Sequence, residues 1–587
     1  MVIELAEPPT EKEVLEAIHQ LQPGKAPGPD GIPPEVFKEG GPLLVKELTS
    51  QFQAFWEHGA LPQDLKDANI VHLYKHKGDR SSCDSYRGIS LLSIAGKILA
   101  KVIITRLTHH LLDDVVSESQ CGFRANRGTV DMIFATRQLQ EKCKEQHQNL
   151  YMMFVDLTKA FDTVNREGLW AILGKLGCPP KLVSMIRAFH DGMQARVTGA
   201  GEASQPFKVT NGVKQGCVMA PTLFSILFAT MLQSALGHSS AGIKIRYRMD
   251  GQFFDLRRLK AKTKVSEALI RDFLYADDCA LATHSEIALQ ELADCLSAAA
   301  KKFGLTISLA KTEVLFQSSP NSTLPPPQIH IDGTQLKTVD DFTYLGSCLS
   351  KSANLDLEIS RRLAKANSSF GRLWTRVWQE RGIQTQTKIA VYRSVVMSAL
   401  LYGCESWTLY SRHVKQLDQF HIRCLRRIMN ISWQERIPNT EVLHRAGLCG
   451  IETYIRKIQL RWAGHVARME ESRIPKQIFF SELCQGERAR GRPTLRYKDT
   501  LKASLKCFGI DDSSWQALAT DRVAWRAAIH QGAKSSEAGR ITRLENKRVA
   551  RKLKESQPPD PQTALHCKIC GRLCKSQFGL RSHMRIH

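Results

Sequence analysis

The sequence has no apolar run that approaches the roughly 18 to 20 residues needed to cross a membrane. Its N-terminus lacks the basic segment and following apolar segment of a secretory signal, and no repeat of fixed period is present. Sixteen cysteines occur, but most stand singly, which is typical of reduced thiols and not of a disulfide framework. We therefore expect no membrane partner and a nuclear and/or cytoplasmic location.

The chain is long and strongly basic. Its 587 residues exceed what one hydrophobic core usually serves, so several domains are expected. Hydrophobic residues make up 43% and charged residues 24%, which is typical of a folded globular protein. The net charge is +24. A surplus of this size favours a polyanionic partner, with nucleic acid the leading candidate and solvated surface charge the alternative.

The order of predicted elements indicates an α+β core. The apolar run at residues 150–155 does not alternate with polar residues, so it predicts a strand covered on both faces. Apolar runs at residues 273–275 and 279–282 predict a hairpin with Asp277 and Asp278 at its tip. A further tight hairpin is predicted at residues 248–253, from Asp250-Gly251. Helices are predicted to begin after Thr10, to span residues 221–236 and to end at Gly304.

Beyond residue 325 the sequence favours long helices up to about residue 545. Basic segments at residues 488–496 and 540–554 could follow a nucleic-acid backbone. Base stacking is open to Trp462, Trp515 and Trp525, although tryptophan at helical spacing is more often part of a core.

Three carboxylates stand at predicted strand ends. Asp156 follows the buried strand, and Asp277 and Asp278 lie at the hairpin tip, so a central sheet could bring them together. Carboxylate oxygens suit Mg²⁺, and two ions about 3.5 to 4 Å apart would activate an attacking hydroxyl and neutralise a leaving pyrophosphate. An Asp-Asp pair at a turn is by itself more often turn chemistry than catalysis, so the surrounding motifs decide.

The surrounding motifs resemble those of reverse transcriptases. Motifs A, B and C are matched in order and spacing by FVDLTKAFD at residues 154–162, QGCVMAP at 215–221 and YADD at 275–278. Flanking finger, palm and primer-grip motifs are resembled by QCGFR at residues 120–124 and YLG at 344–346, among others. The wording is similar to non-LTR retrotransposons of the LINE type and covers roughly residues 20–350.

This resemblance implies a right-hand polymerase. The expected parts are an N-terminal fingers extension at residues 1–60, reverse transcriptase fingers and palm at 61–318, a primer-grip hairpin and helical thumb at 319–420, a basic helical region at 421–555, a linker at 556–564 and a small ββα zinc finger at 565–587. The implied reaction adds dNTPs to a DNA 3′-hydroxyl on an RNA template, in target-primed reverse transcription at nicked target DNA.

The resemblance also assigns the site residues. Asp156, Asp277 and Asp278 would hold two Mg²⁺ ions as the catalytic carboxylates. Phe161, five residues after Asp156, matches an aromatic gate that leaves no room for a 2′-hydroxyl. The alternative for Phe161 is a plain core position.

The remaining candidates line the nucleotide pocket. Gln215 and Gly216 match motif B, where glycine would let the backbone approach the template base. Arg87 and Lys75 would grip the triphosphate, with Lys77 as a rival for Lys75. Lys311 could donate a proton to the leaving pyrophosphate, or be a solvated lysine at a helix end.

Complete elements of this type place an endonuclease before the polymerase, and here only about twenty residues precede the first finger motif. We therefore expect no nicking by this chain and a separate endonuclease activity. No further set of carboxylates for an RNase H domain is evident after residue 350. One alternative is a catalytically silent or domesticated retrotransposon remnant that binds nucleic acid. An RNA-templated RNA polymerase is another, against which Phe161 argues.

The last residues show the ligand spacing of a two-Cys two-His zinc finger. The pattern C-x2-C-x12-H-x3-H is formed by Cys567, Cys570, His583 and His587. Leu580 occupies the expected apolar position, but Cys574 stands where such fingers usually carry phenylalanine. The small core is therefore underfilled, and Zn²⁺ should supply most of the folding energy. Unrelated cysteines and histidines in a tail are the alternative.

The finger's predicted base-reading positions are Ser576, Gly579 and Ser582. None of these side chains can make a strong bidentate contact with a base. We therefore expect the finger to contact a nucleic-acid backbone, a structured RNA or a protein, and not to read a DNA sequence.

Overall fold

The computed structural model describes residues 5–112, 115–199, 201–320, 324–488, 494–556, 565–574 and 577–587. Most of the predicted linker at 556–564, the middle of the basic segment at 488–496 and Ser576 lie outside these residues. The chain divides into two compact units. The first comprises Met1–Glu358, Glu405–Thr408 and Arg468–Tyr497, and the second Ile359–Cys404, Leu409–Ala467 and Lys498–His587.

The helices are α1 Glu11–His19, α2 Pro34–Glu39, α3 Gly41–His58, α4 Gln63–Lys66, α5 Ile94–Leu107, α6 Thr129–Glu145, α7 Arg166–Lys175, α8 Pro180–Ala188, α9 Ala220–Leu236, α10 Glu286–Lys302, α11 Asp356–Arg372, α12 Thr385–Val391, α13 Ser398–Leu400, α14 Ser411–Ile428, α15 Asn439–Ala446, α16 Ile451–Arg468, α17 Ile474–Phe480, α18 Tyr497–Cys507, α19 Trp515–Thr520, α20 Arg522–Ser556 and α21 Gln577–Met584.

The strands are β1 Ala68–Tyr74, β2 Tyr86–Leu91, β3 Leu150–Val155, β4 Gln194–Gly199, β5 Glu202–Ala203, β6 Phe207–Lys208, β7 Ile243–Tyr247, β8 Ser266–Ile270, β9 Asp272–Tyr275, β10 Asp278–Thr283, β11 Glu313–Gln317, β12 His330–Ile331, β13 Thr334–Gln335, β14 Lys337–Val339, β15 Asp341–Tyr344, β16 Ser347–Ser350, β17 Ser481–Leu483, β18 Leu565–His566 and β19 Leu573–Cys574.

A five-stranded sheet in the order β14-β11-β3-β10-β9 lies at the centre of the first unit. Strand β3 is buried along its whole length, which confirms the strand predicted at residues 150–155. Its odd-numbered residues join one hydrophobic cluster, with Met153 and Val155, and its even-numbered residues join another, with Met152 and Phe154. Both faces of β3 are therefore covered, and this explains why its sequence does not alternate.

Two sequence predictions near this sheet are confirmed, and a third needs correction. The YADD hairpin is confirmed as β9 and β10, and helix α1 begins with the capping box between Thr10 and Glu13. Residues 248–253 do belong to a hairpin, formed by β7 and β8, but the tight turn predicted at Asp250-Gly251 is wrong, because residues 248–265 form a wide connection. Arg258 is buried and stabilises this connection, because its guanidinium donates a hydrogen bond to the Asp250 carbonyl at 2.9 Å.

Residues after 325 are less uniformly helical than predicted, since β12 to β16 lie between residues 330 and 350. The second unit is built mainly of helices α12 to α16 and α18 to α20. Trp515 and Trp525 are buried in it, and the Trp525 indole donates to the Leu460 carbonyl at 3.1 Å. These two rings are core residues and cannot stack on bases, while Trp462 is half-buried. Within the described chain no helix combines the length and apolarity that a membrane span requires.

Candidate active site

The sheet brings Asp156 beside the YADD hairpin. In β10, Cys279 pairs with Val155, the last residue of β3, and Asp278 pairs with Tyr275 across the hairpin. The next step of the antiparallel register places Asp278 opposite Asp156 at the same edge of the sheet. The structure therefore brings Asp156 and Asp278 together at one edge of the sheet. Asp277 lies beside them in the turn between β9 and β10.

A buried glutamine fixes the turn that carries the aspartates. Ala276 has a φ of +59°, a left-handed conformation that is unfavourable for a residue with a Cβ. The fully buried Gln120 side chain accepts from the Ala276 N–H at 2.8 Å and donates to the Ala276 carbonyl at 3.0 Å. Gly122 is required beside it, because a Cβ there would lie 2.1 Å from the Ala276 nitrogen. Sequence reasoning placed these residues in a flanking motif but not in the site.

Lys311 reaches the same site through the loop after α10. That helix ends before Gly304, whose φ is +73°, and the chain then returns to the end of β3. The Ser308 N–H donates to the Asp156 carbonyl at 2.8 Å. This pairing places the Lys311 ammonium 3.4 Å from an oxygen of the Asp156 carboxylate. The predicted association of Lys311 with the carboxylates therefore has a local structural cause.

The three carboxylates repel one another. Burial first, and then the neighbouring charges of Asp277 and Asp156, together raise the pKa of Asp278 to about 6. Burial also raises the pKa of Asp277, with repulsion from Asp156 adding to this and the Arg87 guanidinium opposing it. A site with this excess of negative charge and only hard oxygen donors suits a divalent cation of the Mg²⁺ class.

Phe161 is half-buried and packs against other aromatic rings. It stacks on Phe224 of α9 with ring centroids 4.6 Å apart and meets the edge of Phe123 at 6.5 Å. Phe224 is fully buried, so the Phe161 ring rests on a fixed support. Phe123 is exposed and has a φ of +60°. No local sequence pattern indicated that Phe123 and Phe224 would contact the predicted gate.

The other predicted pocket residues lie around strands β1 and β2. The Gln215 carbonyl accepts from the Ser90 N–H at 2.8 Å, which joins motif B to β2. Gly216 has a φ of +105°, and a Cβ there would lie 2.6 Å from the Ser90 carbonyl oxygen. The close approach that requires this glycine is therefore made to β2. Arg87 is exposed on β2. Lys75 is also exposed, and its ammonium donates a hydrogen bond to the Asp84 carbonyl at 2.8 Å.

A second cluster of ligand atoms is formed by Cys567, Cys570, His583 and His587. One donor atom from each of the four lies within 4.8 Å of the others. The Nε2 atoms of the two histidines are 3.2 Å apart, and Cys570 Sγ lies 3.0 Å from His583 Nε2. Backbone N–H groups of Cys570 and Ile569 lower the pKa of the Cys567 thiol. Two thiols and two imidazoles that converge in this way are the donor set of a tetrahedral zinc site.

The elements around this cluster have the predicted ββα order. Strands β18 and β19 pair, and helix α21 follows them. Cys574 is buried in the position where phenylalanine was expected, and Leu580 is only half-buried. The apolar core under the ligands is therefore small, as the sequence indicated.

Comparison with known proteins shows which proteins the part of the chain that holds the first site resembles. Residues 74–349 match the family described as "Reverse transcriptase (RNA-dependent DNA polymerase)". The chain is 27% identical over 449 residues to the "RNA-directed DNA polymerase from mobile element jockey" of Drosophila funebris, a match that covers 74% of this chain and 45% of that protein. It is 23% identical to the "Probable RNA-directed DNA polymerase from transposon BS" of Drosophila melanogaster, over 78% of this chain and 48% of that protein.

Similarity extends beyond the polymerase family match. The "Retrovirus-related Pol polyprotein from type-2 retrotransposable element R2DM" of Drosophila melanogaster is 21% identical over 88% of this chain and 46% of its own length. A solved structure of apo telomerase from Candida Tropicalis, covering 52% of this chain and 58% of that chain, has 14% identity and a TM-score of 0.31, a likeness too low to carry an argument. The chain thus spans about half the length of the curated relatives that it matches.

Proposed function

From the premise that this chain carries a reverse transcriptase domain and is related to the RNA-directed DNA polymerases of non-LTR retrotransposons, we propose that it extends a DNA 3′-hydroxyl with dNTPs on an RNA template. The observation that carries this proposal is the meeting of Asp156 with the YADD hairpin at one edge of the central sheet. The setting of the reaction is target-primed reverse transcription at nicked DNA.

Asp156, Asp277 and Asp278 are the residues that would hold the divalent metal. When bound, Mg²⁺ would lower the pKa of the attacking 3′-hydroxyl and neutralise charge on the pyrophosphate. The Lys311 ammonium, 3.4 Å from Asp156, lies where it can give a proton to the leaving pyrophosphate. Arg87, whose charge is felt by Asp277, supplies a guanidinium for the triphosphate, and Lys75 is the second cation of that group.

Selection of deoxyribose is assigned to Phe161. Its ring is supported from behind by Phe224, so it can exclude a 2′-hydroxyl by contact without being displaced. Gln215 and Gly216 complete the nucleotide pocket beside β2, where motif B is joined to Ser90.

We assign the parts of a right-hand polymerase to these elements. The sheet of β14, β11, β3, β10 and β9 is the palm, and the β1 and β2 hairpin belongs to the fingers. The β15 and β16 hairpin is the primer grip, and the helices after Asp356 provide the thumb. The Cys567 cluster holds Zn²⁺, which supplies folding energy to the last ββα element.

Primer extension tests this function. Purified chain with a DNA-primed RNA template, Mg²⁺ and dNTPs should extend the primer, and Asp277→Asn should lower the rate by about 10³-fold or more, because it removes charge that the metal site needs. Asp294→Asn, on the exposed face of α10, is the matched control and should retain activity. Equal extension by Asp277→Asn would refute the metal-site assignment. An inactive wild-type chain that still binds nucleic acid would favour the retrotransposon-remnant alternative.

A further inference from the structure

A basic groove lies in the second unit, and none of the residues assigned to polymerisation lines it. It has a volume of about 420 Å³ and lies between the segment that leads into α15 and the C-terminal part of α20. Its charged lining residues are Arg436, Arg548, Arg551, Lys552 and Glu545. The groove therefore carries four cationic side chains against one carboxylate.

The cations on α20 share one face of the helix. Leu544, Arg548, Arg551 and Lys552 follow the spacing that brings residues to one side of an α-helix, and all four line the groove. Among the described side chains, no carboxylate oxygen lies within 4.0 Å of the charged groups of Arg548, Arg551 or Lys552. All three side chains are exposed, so an external anion can reach them.

The opposite wall of the groove is the loop that carries Arg436, and hydrogen bonds on both sides of this residue hold the loop. Arg436 has a φ of +49°, a left-handed conformation that costs free energy in a residue with a Cβ. It ends a short 3-10 turn, Trp433–Glu435, which is closed by a capping box between Ser432 and Glu435. Behind the loop, Arg426 donates to the Ile437 carbonyl and to Asn439 at 3.0 Å. The position of Arg436 at the groove is thus held by the capping box before it and by the Arg426 contacts after it.

Trp433 is an exposed aromatic residue on the same loop as Arg436. It stands three residues before Arg436 on the same turn, and its side chain is 81% exposed. An indole left in water beside a basic groove is the arrangement on which an unpaired base can stack, whereas a duplex keeps its bases stacked on one another. The first turn of α15 also lines the groove and has no side-chain cap, so its N–H groups add positive potential.

We propose that this groove binds the phosphate backbone of single-stranded nucleic acid, with Arg436, Arg548 and Arg551 on the phosphates and Trp433 stacked on a base. Its residues differ from those proposed for polymerisation, and binding there requires no catalysis. The basic segment at residues 540–554 then forms one wall of a binding groove, through Arg548, Arg551 and Lys552.

The experiment measures binding of the full-length chain by fluorescence anisotropy. The probes are oligo-uridine and oligo-thymidine of about 20 nucleotides, together with a blunt duplex of equal length. The groove variant is Arg548→Glu with Arg551→Glu. The matched control is Arg526→Glu with Arg543→Glu, which makes the same change of charge at two exposed positions of the same helix that do not line the groove.

The groove variant should weaken binding of at least one single strand by about tenfold or more, and the strand affected identifies RNA or DNA as the ligand. The control should stay within about twofold of wild type. Trp433→Ala should weaken single-strand binding about fivefold and leave duplex binding unchanged. Equal losses in the groove and control variants, or losses that are the same for duplex and single strands, would overturn the proposal.

Primer extension at saturating primer and template separates this site from the proposed polymerase. The groove variant should keep the wild-type rate under those conditions, because it changes no residue of the catalytic site. If the wild-type chain extends no primer but the difference between groove and control variants persists, the polymerase assignment fails and the groove stands.

Discussion

Asp278 shows that the candidate metal site is built at the expense of stability. Its carboxylate lies beside two others, and its pKa in the folded chain is raised to about 6 from an ordinary value of 3.8. Between these two pH values the folded state binds more protons than the unfolded state. Stability therefore falls as pH rises from about 4 to 6, and the destabilisation is fully present at pH 7.

Asp278→Asn should consequently stabilise the metal-free chain at neutral pH. The expected gain is about 1 kcal/mol, since the side chain is partly exposed and water screens much of the repulsion. Thermal unfolding in a chelator at pH 7.5 and at pH 4.5 checks this, and the gain should be larger at the higher pH. Asp294→Asn is the control and should give the same unfolding temperature as wild type at both pH values. A gain independent of pH would contradict the charge-repulsion account.

Phe161→Ala should admit ribonucleotides. Removing the ring opens space for the 2′-hydroxyl, so the preference for dNTPs over NTPs in kcat/KM should fall by about tenfold or more. The measurement is single-nucleotide primer extension with each substrate. Phe316→Ala, which removes a half-buried ring stacked on Tyr151 in the same unit, should leave the preference unchanged. An unchanged preference in Phe161→Ala would remove the gate role and leave Phe161 as a core residue.

At the scale of elements, the β9 and β10 hairpin depends on a residue far from it in sequence. Gln120 satisfies both backbone groups of Ala276, the left-handed residue that sets the direction of the YADD turn. A short apolar-Asp-Asp-apolar pattern predicts such a hairpin but cannot show what holds it. The holding contact is made 156 residues away along the chain.

Gln120→Ala should therefore lower kcat more than its loss of stability explains. The variant leaves the buried Ala276 N–H without its acceptor, which costs about 1 to 3 kcal/mol, and a displacement of the aspartates by about 1 Å can lower the rate about 100-fold. The matched control is Gln140→Ala, which removes a buried hydrogen bond to Ser350 in the same unit. If both variants lose equal stability and equal kcat at a temperature where each is folded, Gln120 has no positioning role.

The ββα element around the Cys567 cluster allows the predicted zinc dependence of its folding to be tested. A peptide of residues 560–587 should gain helical circular dichroism when Zn²⁺ is added, because its buried core is too small to fold alone. Replacing two ligands, as in Cys567→Ser with His583→Ala, should abolish this gain. A helical signal that does not respond to Zn²⁺ would show that the apolar core is sufficient.

At the scale of the whole molecule, the chain folds into two compact units, and several domains were expected from its length. The first unit holds the proposed polymerase centre, and the second carries the basic groove and the basic helix α20. The prediction of several domains follows from size alone, but the chain path does not: both units are assembled from segments that alternate along the sequence. Sequence reading by linear ranges therefore could not define them.

The sequence by itself determined which residues are candidates for the chemistry of this protein. Motif order predicted the three aspartates, Phe161 and the four Cys and His ligands, because those residue types and spacings are constrained by the groups they would bind. Only the tertiary structure decided how they are held. Gln120 under the hairpin, Phe224 behind Phe161 and Ser90 against Gly216 are contacts between distant segments, and local patterns carry no record of them. The burial of Trp515 and Trp525 was decided the same way, since an apolar ring has no local signal that separates core from surface.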